Sequence, residues 1–469
     1  MPNAYIAFMN VSPKTLCITY TRARARKEKS IYPQQAAVPN TARNHQLLVA
    51  RLAQKDYLCS ILSIYLFPPM YHNPFNPFTD EHNLLRLSFR EFLSREIMPY
   101  IEEWEQNKHC EASVFRKMGE QGYFGVTFPS EYGGSNMDLW SAVVIAEELA
   151  HANCGGLAMS LYAHTYLPLP LINSLGSEWQ KQTYLVPALR GEKIAALAIT
   201  EPGAGSDVGG IQTTAQDHGD YFVLNGSKMF ITNGTIADFV VVVTRTGPGY
   251  DMSVFIVDTH TPGFRAIPVK NKLGMHSSDT AQLFLEDCIV PRQNLIGDKS
   301  NGFYYIMNNI QEERLIACVM GTATAEFALY KAMQYAKERE AFGKQIGKFQ
   351  VIRHKMAKMA IDVEVCRSMA YRAVHEFLEK GPEAIKIVSM AKAFICERAF
   401  EVVNEALQIH GGWGYMEDYG LARALRDTRL MTVGAGTTEV MHEIISKMIV
   451  DDVRHQRQFV KARAGAELS

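Results

Sequence analysis

The stretch "LAITEPGAGSDVGG", Leu197–Gly210, decides how the rest of this chain is read. It is rich in glycine, yet it lacks the G-x-G-x-x-G spacing of a doubly wound dinucleotide fold and the G-K-[ST] ending of a P-loop. By itself it is equally a plain structural turn. What surrounds it says more. Upstream, from Phe78 to about Arg190, the pattern is helical. "DEHNLLRLSFREFLSREIMPYIEEWEQN" places Leu84, Leu87, Phe92 and Ile97 near the helical repeat, with Asp80 as a candidate cap. A Gly-rich break, "PSEYGGSNMD", precedes a second apolar stripe, "LWSAVVIAEELAHA". Downstream, from about Ile194 to Asp298, the texture is that of strands. "YFVLNGSKMFITNG" carries Asn225-Gly226 between apolar runs, which predicts a hairpin. "ADFVVVVTRT", "MSVFIVDTHTPGFRAIPV" and "AQLFLEDCIVP" predict further strands. After Gly302 long helices return, over roughly 303–338, 350–380, 384–409 and 437–450. Helices, then strands, then a helix bundle make an α+β protein and not a doubly wound sheet. No fixed-period repeat is visible.

With 469 residues the chain has room for two or three domains. Lysine plus arginine number 48 against 49 acids, so no global field calls for nucleic acid. Hydrophobic residues at 47% argue for a packed interior. The eight cysteines are scattered without a C-x-x-C pair, which reads as reduced thiols in an intracellular compartment. No H-x-x-x-H or H-E-x-x-H pair suggests a metal enzyme.

Up to Lys55 there are nine basic residues and one acid, Glu28. The segment reads as a dispensable extension with the functional protein beginning near Met70, and a mitochondrial transit peptide is the alternative. The apolar run "YLCSILSIYLF" is too short to span a bilayer, so no stable membrane insertion is expected. The expected division is an extension over 1–70, a helical domain over 71–193, a middle β domain over 194–298 and a helix bundle over 299–469. The expected location is the cytoplasm, or the mitochondrial matrix if the basic segment is a transit peptide.

Three more stretches stand out. "MFITNG" (Met229–Gly234) alone is an ordinary strand and turn, and "EREAFGKQIGKFQ" (Glu338–Gln350) a charged helix end and loop. "QIHGGWGYMEDYG" (Gln408–Gly420) ends an apolar-striped helix with paired glycines, as many C-caps do. Together and in this order, these stretches and "LAITEPGAGSDVGG" resemble the acyl-CoA dehydrogenase family of flavoproteins. The resemblance covers roughly Phe78 to Asp452, and "ITEPGAGSD" and "QIHGGWGY…RDTR" are its most specific parts.

The resemblance implies an N-terminal helical domain, a middle β-barrel-like domain and a C-terminal four-helix bundle, usually as a homotetramer or homodimer. It implies FAD as cofactor, acyl-CoA as substrate and electron-transferring flavoprotein as electron acceptor. By motif, Leu197, Ala198, Ile199, Thr200 and Ser206 would contact the flavin ring and phosphates, as would Phe230, Ile231 and Thr232. Arg339 and Gln350 would meet the FAD of a neighbouring subunit. Gln408, Ile409, His410, Gly411 and Gly412 would line the diphosphate and adenosine part of that same neighbouring FAD. Thr437, Thr438 and Glu439 would close the other side of the cofactor, and Ser206 would also touch the pantetheine arm of the substrate. Forked guanidinium donors suit a diphosphate, and glycines let backbone N–H groups approach phosphate oxygens.

The stretch "RDTRLMTVGAGTTEVM" (Arg426–Met441) then poses a difficulty. The reaction removes an α-proton from an acyl thioester while the β-hydride leaves for the flavin, so a carboxylate base is required. Many family members carry that Glu immediately before the Gly-Thr of this loop, where this chain has Ala435 before Gly436. The loop is therefore that of a silent relative, or the base comes from elsewhere. "NNIQEERLIACVMG" supplies a candidate. In the long-chain and isovaleryl-type branches the base is the Glu directly before Arg-Leu, which here is Glu313 before Arg314 and Leu315. Glu312 is the rival, and adjacent helix residues project about 100° apart, so one of the two faces the flavin. Arg314 would shape the site, and the Ala435 N–H, with Gly436, would meet the thioester carbonyl. "KLGMHSSDTAQ" (Lys272–Gln282) and "QEERL" also resemble citronellyl-CoA dehydrogenases. Long or branched acyl chains are the expected substrates. A flavin-dependent oxidase and a silent acyl-CoA-binding scaffold of the same fold are the alternatives.

Overall fold

The computed structural model describes residues Asn76–Asp451, so the basic N-terminal segment and its cysteines lie outside the described residues. The described residues from Phe78 onward belong to one compact unit. It begins with α1 (Asp80–Phe92), whose cap is Thr79 and not Asp80. The Thr79 hydroxyl accepts from the His82 N–H while the His82 ring engages the Thr79 backbone, a reciprocal capping box. Asp80 and Glu81 sit in the first turn instead, where the helix dipole favours negative charge. The buried face also differs from the one expected. Phe89, Phe92 and Ile97 are in the core, whereas Leu84 and Leu87 are exposed.

Helices α2 (Ile101–Asn107), α3 (Ser113–Glu120), α4 (Leu139–His151), α5 (Gly155–Tyr166) and α6 (Pro168–Leu175) follow, then short helical turns up to Leu189. Asp138 caps α4 by accepting from the Trp140 N–H. Nearly every residue of α4 and α5 is buried, which is why both read as apolar without a strong stripe.

Eight strands come next: β1 (Ala195–Ala198), β2 (Thr214–Asp217), β3 (Tyr221–Thr232), β4 (Phe239–Arg245), β5 (Met252–Asp258), β6 (Phe264–Pro268), β7 (Thr280–Pro291) and β8 (Leu295–Ile296). They join in the order β6-β7-β3-β2-β4-β5-β8, with β1 parallel to β4. The middle β domain is an eight-stranded sheet in which β1, β6 and β8 each pair with a single neighbour. Both faces of β4 are covered. Phe239, Val241 and Val243 pack toward the N-terminal helices, while Val240 and Val242 pack with Phe222, Leu224 and Phe255 in a separate core. Each fully buried valine is worth about 1.5–3 kcal/mol, so burial on both faces adds to the ladders with β1 and β5 that hold "VVVV" as strand.

The predicted hairpin at Asn225-Gly226 is overturned. Both residues lie inside β3, where the pairing with β7 shifts register between Leu224 and Gly226. A side chain at Gly226 would meet the Thr213 hydroxyl at 2.5 Å, so glycine here allows a close strand approach at a bulge. Asn225 uses its amide to bridge to Asp287 on β7. The turn that does reverse the chain is the one holding Gly219, between β2 and β3.

The chain then returns to helices: α7 (Gly302–Glu338), α8 (Gln350–Lys380), α9 (Ile385–His410), α10 (Leu421–Thr428) and α11 (Thr438–Ile449). Helix α7 is long and apolar enough to cross a membrane by composition, but it packs on α4, α8 and α9 at the centre of the bundle. Residues Leu315, Ile316, Cys318 and Val319 of α7 meet Cys366, Ala370 and Val374 of α8 and Val388, Ala391 and Ile395 of α9 in one core. The six cysteines among the described residues are free and buried.

Candidate active site

The N-terminal third of α7 carries two half-buried carboxyls and a buried guanidinium, Glu312, Glu313 and Arg314. Burial pushes Glu312 up to about 7. Burial also raises Glu313 to about 7, although Arg314 and Lys392 pull it down. The two glutamates face different surroundings. Glu312, Ile316 and Met320 follow at intervals of four, so they share one side of α7. Ile316 and Met320 line an apolar cavity against Leu149, Leu161, Tyr162 and Tyr166. The Tyr166 hydroxyl is held above its ordinary range by burial and by Glu312. Glu313 lies toward Arg314 and Lys392, and its backbone carbonyl accepts from the Tyr162 hydroxyl.

Arg314 is 4% exposed and its Nε–H donates to the Ala435 carbonyl at 2.9 Å. The next carbonyl along, that of Gly436, accepts from the ammonium of Lys392 on α9, itself 1% exposed. Two buried cations on two different helices therefore hold two successive carbonyls of one loop. The loop backbone is unusual at the same place, with φ of 56° at Ala435 and 93° at Gly436. A left-handed alanine costs on the order of 1–2 kcal/mol and persists where surroundings impose it. Here the carbonyls of both left-handed residues are held by Arg314 and Lys392. Thr437 then caps α11 by accepting from the Val440 N–H. Glu439 is exposed in the first turn, its carboxyl lowered by its own backbone N–H and by the Thr437 hydroxyl.

A second grouping surrounds the end of β1. The side chains of Ala198 and Ile231 point into the sheet's core, so only their backbone faces outward. Leu197, Ile199, Thr200 and Thr232 are half-buried, and Ser206 is exposed. Lys228 fixes this turn from behind. It is fully buried, and its ammonium donates to the Ile199 carbonyl at 3.0 Å and to Glu201 at 2.8 Å. Glu201 also accepts from the N–H groups of Gln212 and Thr213. Burial lowers the Lys228 ammonium to about 8 against the pull of Glu201. The Thr200 carbonyl accepts from the Met229 N–H. Beside it, Phe230 has φ of 61° and is 62% exposed. A bulky residue held left-handed with its ring in the open is strain of the sort found where a ligand packs.

The third grouping lies at the bundle end. His410 stacks on Tyr335 at 4.3 Å between ring centres, and its Nδ1–H donates to the Ala406 carbonyl. Ile409 is buried, Gln408 is exposed, and a side chain at Gly411 or Gly412 would meet no atom within 4 Å. Arg339 and Gln350 are exposed, at the end of α7 and the start of α8.

These groupings suit a large, flat, anionic cofactor such as FAD. The Thr438 hydroxyl and the Gln311 amide oxygen are buried without a hydrogen-bond partner, an arrangement that a ligand bearing polar atoms would complete. The open glycines leave backbone N–H groups approachable, and Phe230 offers an aromatic face.

Sequence reasoning named the loops but missed what stands behind them: Lys392, Lys228 with Glu201, and Asp427. The Asp427 carboxylate accepts from the Met275 N–H at 2.5 Å and the Gly155 N–H at 3.2 Å, tying α10 to the β6–β7 connection and to the start of α5. A lone lysine inside "IVSMAKAFIC" was the available signal for Lys392.

The chain matches "Acyl-CoA dehydrogenase, N-terminal domain" over residues 79–192, "Acyl-CoA dehydrogenase, middle domain" over 196–288 and "Acyl-CoA dehydrogenase, C-terminal domain" over 300–450. It is 37% identical over 380 residues to the mitochondrial long-chain specific acyl-CoA dehydrogenase of Sus scrofa, covering 80% of this chain and 88% of that protein. A 3-(aryl)acrylate reductase of Clostridium sporogenes is 36% identical over 381 residues, covering 80% and 99% of the two chains. Among solved structures, an acyl-CoA dehydrogenase from Geobacillus kaustophilus is similar with a TM-score of 0.77 and 40% identity, over 80% of this chain and 99% of the other.

Proposed function

The chain belongs to the acyl-CoA dehydrogenase family of FAD-dependent oxidoreductases, and on that premise we propose that Glu313 is its base and a long-chain or branched acyl-CoA its substrate. The observation that carries the choice of base is the pairing of Glu313, pushed up to about 7 in the interior, with a loop that has Ala435 in place of an acid. A carboxylate poised near neutrality balances availability against basicity.

FAD, when bound, supplies the acceptor for the hydride leaving the substrate's β-carbon. The chain's own residues do the rest. The Glu313 carboxylate takes the α-proton. The Ala435 N–H donates to the thioester oxygen as negative charge develops there. Arg314, fixed on the Ala435 carbonyl, keeps that loop at its distance from α7. Entry of the substrate displaces water and raises the proton affinity of Glu313 further.

The small Ala435 leaves room beside the α and β carbons, which favours long or branched chains and the branch of the family shared by long-chain, isovaleryl- and citronellyl-CoA dehydrogenases. Electron-transferring flavoprotein is the typical acceptor of this family. A homotetramer fits the exposed Ile361 and Val365, one turn apart on α8, and the exposed Arg339 and Gln350 that would reach a neighbour's cofactor. We place the protein in the cytoplasm, with the mitochondrial matrix as the alternative.

The test is anaerobic mixing of the purified flavoprotein with straight and branched acyl-CoAs while following flavin absorbance. Bleaching that is lost in Glu313→Gln and retained in Glu312→Gln supports the reading. Rapid reoxidation in air without a protein acceptor would point to the oxidase, and bound flavin that no thioester bleaches would point to the scaffold.

A further inference from the structure

Lys392 carries a feature that no catalytic step above uses: a fully enclosed ammonium directed at the loop on which the thioester oxygen is to be held. Its partner is the Gly436 carbonyl, 44 residues away in sequence. That carbonyl shares a peptide plane with the Thr437 N–H, just as the Ala435 carbonyl held by Arg314 shares one with the Gly436 N–H. A cation on a carbonyl makes a charge-assisted bond and polarises the amide, strengthening its N–H as a donor.

The groups around Lys392 are few. From α7 it meets Glu313, Arg314 and Cys318, from its own helix Cys396, and from α11 the charge of Glu439. Burial pushes the Cys318 and Cys396 thiols up, so both remain neutral. Its charged surroundings are therefore one half-buried carboxyl, Glu313, one exposed carboxyl, Glu439, and one cation, Arg314. A buried cation near a half-buried carboxyl favours that carboxyl's ionised form.

We propose that Lys392 is a positioning residue for the reaction: its ammonium fixes the Gly436 carbonyl, sets the Ala435–Thr438 loop against α7, and supplies the standing positive charge that keeps Glu313 available as a carboxylate. This rests on the reading of Glu313 as base. Arg314 acts on the same loop from the opposite helix, so α7 and α9 together hold the loop by two adjacent peptides. The proposal separates two roles in one side chain, a hydrogen bond that sets geometry and a charge that sets proton affinity.

The experiment uses the holoenzyme and an acyl-CoA in which sulfur replaces the β-methylene. That thioester can lose an α-proton but has no β C–H from which hydride can depart. Exchange of its α-hydrogen with deuterated water, followed by mass spectrometry across pH, reports the base alone. In Lys392→Gln the amide keeps a donor for Gly436 and removes the charge. The acid limb of exchange is expected to move to higher pH by on the order of half to one unit, with affinity for the thioester near that of the parent. Lys392→Met removes donor and charge, and is expected to show the same shift together with several-fold weaker binding. Lys392→Arg restores the limb. If Gln and Met variants keep the parent's limb and affinity and only their melting temperature falls, Lys392 is a packing element and the proposal is overturned. Should the Met variant fail to fold, the Gln and Arg pair decides the matter. Glu313→Gln distinguishes the two layers: exchange that persists there removes the base assignment itself, whereas its loss alongside unaltered Lys392 variants removes only this inference.

Discussion

The Nε–H of Arg314 donates to the carbonyl of Ala435 at 2.9 Å, joining α7 to a loop 121 residues further along the chain. The bond places the only planar, permanently charged group of the "QEERL" segment on the backbone of the loop, and not on the carboxylate next to it in sequence. Arg314 is buried, so its charge is compensated by what it touches in the fold.

Removing that tie is expected to impair turnover more than folding. Arg314→Ala frees the loop, and a misplacement of about 1 Å is worth on the order of a hundredfold in rate. Arg314→Lys retains charge without the planar fork and is expected to fall between the two. Steady-state kinetics with one acyl-CoA, read beside circular-dichroism melting, checks both. An Arg314→Ala enzyme with parental kcat/KM would show that the loop holds itself.

Gly436 and Gly434 are expected to respond differently to alanine. Gly436 has φ of 93°, and a side chain there would approach Met441 Cε at 2.9 Å and Arg314 Nη2 at 3.2 Å. The left-handed backbone alone costs about 1–2 kcal/mol for a residue with Cβ. At Gly434 the nearest atom is the Leu430 carbonyl oxygen at 3.7 Å, an ordinary contact. Gly434→Ala is expected to change stability by less than about 0.5 kcal/mol. Urea unfolding of the two variants measures the contrast.

The second-order rate of flavin reduction at limiting acyl-CoA, which reports the free enzyme, is expected to fall as pH drops through about 7, the value to which burial lifts Glu313. The sign follows from the role: the carboxylate is the active form, present above that value and protonated below it. Glu312 is lifted to about 7 as well, so the limb alone does not identify the base. Glu312→Gln is expected to retain the limb and Glu313→Gln to abolish the reaction. Stopped-flow absorbance over a pH series is the measurement.

Lys228→Met is expected to release flavin. The substitution leaves Glu201 7% exposed without its cation and the Ile199 carbonyl without its ammonium donor. Breaking one side of a buried pair costs about 3–5 kcal/mol. Adding Glu201→Gln removes the stranded charge and is expected to recover part of the melting temperature. Flavin retained per chain after gel filtration reports the binding site separately from the fold.

Asp427→Ala is expected to lower the melting temperature, because the N–H groups of Met275 and Gly155 lose their acceptor. An unsatisfied buried donor costs about 1–3 kcal/mol. Hydrogen exchange at Met275 rising well above that of neighbouring β7 amides would locate the loss. Unchanged protection there would mean that the β6–β7 connection is held by other contacts.

The helices of the bundle were legible in the sequence because their apolar period is long and sustained. Residues 350–380 were expected to be helical, and α8 spans Gln350–Lys380. The hairpin at Asn225-Gly226 was misread because a dipeptide that favours tight turns also fits a bulge, and local preference cannot distinguish them. What decided the matter was Thr213, brought alongside Gly226 by a neighbouring strand. Leu84 and Leu87 read as core by spacing, and which side of α1 is covered depends on α4, which the local pattern does not contain.

The same division runs through the site. Segment order and glycine placement sufficed for the family, its FAD dependence and its three-part architecture, because these rest on short contiguous motifs whose backbone demands are local. The cations behind the loops come from elsewhere in the chain: Lys392 reaches Gly436 from α9, and Lys228 reaches Ile199 from the middle of β3. A buried charge is stable only where distant groups compensate it, and those groups meet only when the chain has folded. The sequence by itself therefore determined which backbone would face the chemistry, and the tertiary structure decided what holds that backbone in place.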